Sequence, residues 1–127
     1  MLGDSAVVAF VGTTDVARSR RFYEETLGLR VVEQDQFGCV LDAHGTMLRL
    51  TAVAELDPAG HTVLGWRVRD LEATVDGLLT RGVRFTRFYG LGQDERGVWS
   101  TPSGEKVAWF TDPDGHTLSL TQFTASS

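Results

Sequence analysis

The sequence predicts an α+β fold: two βαβββ modules forming a paired, curved mixed sheet with helices on the outside. Three observations carry this. The segment Asp42-Ala-His-Gly-Thr-Met-Leu-Arg-Leu-Thr51 recurs 70 residues later as Asp112-Pro-Asp-Gly-His-Thr-Leu-Ser-Leu-Thr121, with Asp, Gly, Leu, Leu and Thr in the same places. A second pair, Val11 to Arg30 and Trp66 to Arg84, runs in both copies through apolar strand end, Asp, helix, Gly and Arg. Asp15 matches Asp70 at an offset of 55 and Gly28 matches Gly82 at 54, so one residue is lost within the helix. Finally, each of these Asp residues stands where an apolar strand gives way to a helix. Two small strand–helix–strand units must pack their sheets to close a core, and that pairing creates a concave surface suited to a ligand.

The elements follow in order. Residues 6 to 13 read as a buried strand, and Thr13, Thr14 and Asp15 offer N-caps that accept from free backbone N–H groups. Val16, Ser19, Phe22, Tyr23 and Leu27 then line one helical face, and Gly28 ends the helix in the left-handed conformation. Strands at 29 to 33 and 37 to 41 precede the turn Asp42–Gly45 and a strand at 46 to 53. Module one therefore spans about 6–53, and 54–60, containing Asp57-Pro-Ala-Gly60, is the linker. Module two, about 61–123, repeats the order: strand 61 to 68, helix 70 to 81 capped by Asp70, and a strand from Val83 to about Tyr89. A loop, Gly90 to Arg96, leads to strands at 97 to 101, 105 to 111 and from 116 to about Phe123. Ala125 to Ser127 reads as a frayed tail.

Composition narrows the function. With 127 residues the chain is one domain, large enough to bury a core without staples. Net charge is −5, the arginines are scattered and Lys106 is the only lysine, so no basic stripe points to nucleic acid. No apolar stretch approaches the ~20 residues that span a bilayer, and the apolar run at 6–12 is too short for a signal peptide. Cys39 is the sole cysteine, which excludes an internal disulfide and fits a reducing compartment, so a cytoplasmic protein is expected.

Asp15-Val-x-x-Ser19-x-x-Phe22-Tyr23-x-x-x-Leu27-Gly28-Leu29 resembles the first-helix signature of the vicinal oxygen chelate superfamily, which includes glyoxalases, extradiol dioxygenases and bleomycin-sequestering proteins. The closing Ala108-x-Phe110-x-Asp112-Pro-Asp-Gly115 resembles it too, and the likeness runs from about Val7 to Phe123. In metal-dependent members each module supplies two ligands from its first and last strands. The resemblance puts those positions at Val8, Arg49, Val63 and Ser119. Val has no donor atom and Arg is a permanent cation, so no metal site and no cofactor are expected. A register shift would aim His61, two residues before Val63, at the cavity; His44 and His116 sit in or beside turns.

Other motifs read as structure. Gly90-Leu-Gly92 lacks the third Gly and the following helix of a dinucleotide fingerprint. Ser103-Gly-Glu-Lys106 places its Ser in a turn rather than at a helix start, and Asp112 and Asp114 flank Pro113 as turn residues. If the Asp42–Gly45 turn pairs Leu41 with Thr46, Cys39 faces the helices, and Trp66 and Trp109 share that parity as core residues.

The concave face then carries Phe10, Met47, Arg49, Arg67, Phe110 and Ser119, with Trp99 and Lys106 bordering it if Ser100 pairs with Glu105. A guanidinium in such a place needs a carboxylate, a carbonyl or an anionic ligand. For Arg49 the choice lies between ligand contact and an internal salt bridge to a residue such as Asp94 or Glu95.

Two functions compete. One is a metal-independent binding protein that encloses a small, partly aromatic, neutral or anionic ligand through Phe10, Met47, Arg49, Arg67, Trp99, Phe110 and Ser119. The other is a lyase, epimerase or dioxygenase of the same superfamily with a displaced metal site, in which His61 would meet Glu33, Asp35, Asp94 or Glu95. The expected partners are a small molecule and a second copy in a homodimer, with no nucleic acid and no membrane; an interaction module remains a third reading.

Overall fold

A computed structural model describes residues 1–124, so the tail read at 125–127 lies outside the described residues. The chain divides into two compact units, Met1–Asp57 and Pro58–Ser127, with the boundary inside the 54–60 segment read as a linker.

In the first unit a 3-10 turn at Leu2–Asp4 precedes strand β1 (Val8–Thr13) and helix α1 (Val16–Arg21). Asp15 caps α1 by accepting from the Arg18 N–H at 3.1 Å. The helix widens into a π-helical stretch at Phe22–Thr26 and stops at Gly28, whose φ of +82° suits a residue with no Cβ. Strands β2 (Arg30–Asp35), β3 (Gly38–Ala43) and β4 (Thr46–Ala52) complete a sheet of order β1-β4-β3-β2, in which β1 runs parallel to β4 and the other pairs are antiparallel. Cys39, Leu41, Leu48 and Leu50 are buried on one face with Val11 and Tyr23. Thr13 and Ser19 join β1 to α1 through a buried hydroxyl pair, Oγ1 to Oγ, at 2.6 Å.

The second unit repeats the order with β5 (Thr62–Arg67), α2 (Leu71–Thr80), β6 (Trp99–Ser100), β7 (Lys106–Thr111) and β8 (Thr117–Gln122), in sheet order β5-β8-β7-β6. Asp70 caps α2 through the Ala73 N–H at 3.1 Å. Leu71, Val75 and Leu78 of α2 are buried, as are Ala108, Phe110, Leu118 and Leu120 of the sheet. The fold is α+β, with two four-stranded mixed sheets and two helices.

Several expectations need correction. Val83 to Tyr89 is not a strand; only Phe85 bridges to Phe110. The backbone there finds another partner, because the Gln93 side chain donates to the carbonyls of Thr86 (2.8 Å) and Gly97 (2.7 Å) and accepts from the Phe88 N–H (2.6 Å). The strand expected at 97 to 101 shrinks to Trp99–Ser100. Ser100 pairs with Lys106 rather than Glu105, which turns Lys106 away from the concave face and onto Glu72 of α2, Nζ to Oε1 at 2.5 Å.

The two hairpin turns also differ, although the sequence repeats through them. In the first unit Ala43 pairs with Thr46 across a two-residue loop, His44 and Gly45, both at positive φ (50° and 91°). Leu41 therefore faces Leu48, not Thr46, but the shift is even and Cys39 keeps its helix-facing parity opposite Leu50. In the second unit Pro113 occupies the place of Ala43. Its fixed φ suits the second position of a type I turn, and it has no N–H for a ladder. The loop becomes three residues, Pro113, Asp114 and Gly115, closed by Asp112 N–H to the His116 carbonyl at 3.1 Å. The odd shift turns β7 over relative to the copy. Trp109, expected in the core, pairs with Ser119 on the open face, and Phe110, expected in the cavity, is fully buried against Trp66 and Phe85.

Candidate functional site

Each sheet has one face packed by its helix and one open face, and the open faces carry the candidate residues. On the first sheet, register sets three rows across the strands in the order β1, β4, β3, β2. They are Val8–Met47–Asp42–Arg30, Phe10–Arg49–Val40–Glu33, and Gly12–Thr51–Gly38–Asp35. A bulge at Val32, between Val31 and Glu33, puts Val31 opposite buried Leu41 but Glu33 opposite Val40. Without it Val31, Glu33 and Asp35 would share one face.

Residues of the last two rows, Gly12 excepted, line a hollow of about 390 Å³ that includes Phe10, Glu33, Asp35, Phe37, Val40 and Arg49. Gly38 forms part of its wall, and a Cβ there would lie 2.1 Å from the Leu50 carbonyl oxygen, so only glycine fits. Asp35 is held in place: its Oδ1 accepts from the N–H groups of Phe37 (2.8 Å) and Gly38 (3.1 Å). The side chains of Arg49 and Glu33 are exposed and make no hydrogen bond or ion pair among the described residues. Asp94, weighed as a partner of Arg49, accepts within its own unit from the N–H groups of Arg96 and Val98, both at 2.9 Å. Met47 shares the open face in the neighbouring row, outside the hollow's lining.

On the second sheet the open face carries Gly65–Ser119–Trp109 and Arg67–Thr121–Val107–Trp99. Ser119 is buried between its neighbours, with Oγ 2.8 Å from where a Cβ on Gly65 would stand. Arg67 lies 4.8 Å from the Phe123 ring centroid, a cation–π contact that engages it within the unit. A hollow of about 470 Å³ is lined by His61, Phe88, Tyr89, Leu91, Trp99 and Trp109 among others. Trp99 stacks on Trp109 at 6.2 Å, and Phe88 meets Trp109 edge-on at 5.2 Å. His61 Nδ1 sits 3.1 Å from the Thr62 carbonyl. If Nδ1 carries the proton and donates there, Nε2 keeps its lone pair.

Of the residues singled out in the sequence, Phe10 and Arg49 line the first hollow and Trp99 the second. Met47, Arg67 and Ser119 lie on open faces beside them, and Phe110 belongs to the core. Sequence reasoning named Glu33 and Asp35 only as possible companions of His61, not as walls of the Arg49 hollow, and missed Phe37 there and Phe88, Tyr89 and Trp109 in the other. Pro113 in the second copy of the turn was the available signal for Trp109; the β2 bulge left none.

The four positions that the resemblance assigns to a metal carry valine, arginine, valine and serine side chains. No group of three or more His, Cys, Asp or Glu able to hold a metal occurs among the described residues. The residues present do not fit a metal. Cys39 is no nucleophile in waiting either, since burial pushes its thiol up, against a smaller opposing pull from Arg20.

Two units of strand–helix–strand–strand–strand order, each presenting an open sheet face with a hollow, define the fold class. The chain belongs to the Glyoxalase/Bleomycin resistance protein/Dioxygenase superfamily, whose family model matches residues 6–120. Among solved structures it is similar to a superfamily member from Sphaerobacter thermophilus DSM 20745, at 25% identity over 93% of this chain and 98% of that one, with a TM-score of 0.71. It is also similar to TioX from Micromonospora sp. ML1, at 19% identity, 93% and 98% coverage and a TM-score of 0.71. A glyoxalase family protein from Enterococcus faecalis resembles it at 18% identity, 96% and 100% coverage and a TM-score of 0.73. No curated protein matches the chain.

Proposed function

We propose that this chain is a metal-independent binding protein for a small, partly aromatic, neutral or anionic molecule. The observation that carries this is the Arg49 guanidinium, which lines the first unit's hollow beside Phe10 and has no partner among the described residues. Its five N–H donors in a rigid fork match a carboxylate or carbonyl, and the exposed Phe10 ring offers a flat surface for the rest of the ligand. The aromatic wall of the second unit, Trp99 with Trp109, suits the same kind of flat molecule. Membership of a superfamily that includes bleomycin resistance proteins supports a binding role.

The proposed setting is the cytoplasm, and the proposed assembly is a homodimer. The edge strand β1 exposes Val8 and Phe10, and an apolar strand edge of this kind favours a partner. Light scattering that finds a monomer at micromolar concentration would remove the dimer from the proposal.

Native mass spectrometry of the purified protein, followed by calorimetric titration of any retained molecule, tests the binding role. The reading predicts a retained or added small molecule without stoichiometric metal. Arg49→Met should weaken its binding by about 1.5–3 kcal/mol while thermal unfolding stays unchanged. A metal held by cavity residues, or binding indifferent to Arg49→Met, would overturn it.

A further inference from the structure

We propose that the ligand of the first unit's hollow is a zwitterion, carrying a carboxylate and an ammonium group on an aromatic body, as a free aromatic amino acid does. This rests on the binding function proposed above and narrows it to a chemical class. One hollow of about 390 Å³ is lined by a guanidinium, Arg49, and by two carboxylates, Glu33 and Asp35. Arg49 and Glu33 stand in one register row, with Val40 between them. Two strand spacings put their Cα atoms about 10 Å apart. Both side chains are exposed and do not pair with each other, so each is open to a ligand. Val40, between them in the row, also lines the hollow.

Each simpler ligand meets a repulsion there. An anion placed on Arg49 lies near Glu33 and Asp35, and a lone cation placed on the carboxylates lies near Arg49. A zwitterion satisfies both signs: its carboxylate takes the guanidinium fork, and its ammonium takes Glu33. Asp35 is already oriented, because its Oδ1 is committed to the Phe37 and Gly38 N–H groups, and it adds a second negative charge near the ammonium. Phe10, beyond Arg49 on β1, and Phe37, in the β2–β3 turn, are 67% and 71% exposed and supply apolar contact for the ring.

Three probes that share a phenyl ring separate the possibilities by calorimetry on the full chain at pH 7: L-phenylalanine, 3-phenylpropanoate and 2-phenylethylamine. L-Phenylalanine should bind about tenfold more tightly than either single-charge probe, the scale of one charge-assisted hydrogen bond. Glu33→Gln should lower L-phenylalanine affinity by about the same factor without weakening 3-phenylpropanoate, whereas Arg49→Met should weaken both. Both side chains are on the open face, and circular dichroism of the variants checks that the fold persists. If 3-phenylpropanoate binds as tightly as L-phenylalanine, or Glu33→Gln leaves L-phenylalanine unaffected, the zwitterion is wrong and an anion-binding hollow survives. If no probe shows Arg49-dependent binding, the zwitterion and the Arg49-anchored binding function fall together.

Discussion

Asp112 and His116 are joined at both ends of a three-residue turn. The Asp112 N–H donates to the His116 carbonyl at 3.1 Å, and Asp112 Oδ1 accepts from the His116 N–H at 3.0 Å. The same carboxylate oxygen also takes the Asp114 N–H at 3.0 Å. This small network holds the register that places Trp109 opposite Ser119.

Pro113→Ala should keep that register and lower stability by about 0.4–1 kcal/mol, because the variant frees the unfolded chain. Gly115→Ala should cost more than that. Its φ of +87° disfavours a side chain, and a Cβ would stand 3.3 Å from Pro58 Cγ. Urea denaturation of the two variants gives the comparison, and near-ultraviolet circular dichroism reports whether the tryptophans keep their environment.

Phe110→Ala should destabilise the protein by about 3–5 kcal/mol, the usual cost of emptying a buried ring site. Trp109→Ala removes two ring pairs, with Trp99 and Phe88, worth about 0.5–1.5 kcal/mol each. Equal costs in denaturation would mean that the two residues do not sit on opposite faces of β7.

Gln93→Ala should loosen the 86–97 segment. Three backbone groups lose their partner, at about 1 kcal/mol net for each hydrogen bond. Hydrogen exchange at the Phe88 amide should speed up, while amides within α2 stay protected. Unchanged exchange at Phe88 would show that the loop is held by other contacts.

The ion pair of Asp76 with Arg96, Nε to Oδ1 at 2.8 Å and Nη2 to Oδ2 at 3.3 Å, ties the same loop to α2. The hydrogen bond from Arg96 holds the Asp76 carboxyl below its ordinary value of 3.8. A depressed folded pKa makes the contribution full above that value and lost as pH falls through the folded one. Proteolysis of the loop should therefore accelerate only in strong acid, with an acid-stable protease as probe, and Asp76→Asn should remove that dependence. Lys106 is the opposite case. Its hydrogen bond to Glu72 raises its pKa above 10.5, so its contribution is full below that value and fades as alkali passes the raised one.

Much of this protein was legible in one dimension. The repeat at 70 residues marked β4 and β8, each the strand flanked by a parallel and an antiparallel neighbour, and their buried Leu48, Leu50, Leu118 and Leu120. Asp15, Asp70 and Gly28 marked helix ends, because capping and left-handed turns are local chemistry. Alternation along β4 put Arg49 on the open face. Facing was lost wherever it depended on how a strand pairs with its neighbour. One extra residue in the Pro113 turn exchanged Trp109 and Phe110, and one bulge at Val32 brought Glu33 to the Arg49 side. Side chains alternate with a period of two, so a single-residue slip reverses every residue beyond it. The sequence by itself thus determined both helices and most strands, but not the loss of the strand expected at Val83 to Tyr89, whose backbone Gln93 takes up instead. Tertiary pairing decided which side chains meet at the hollow.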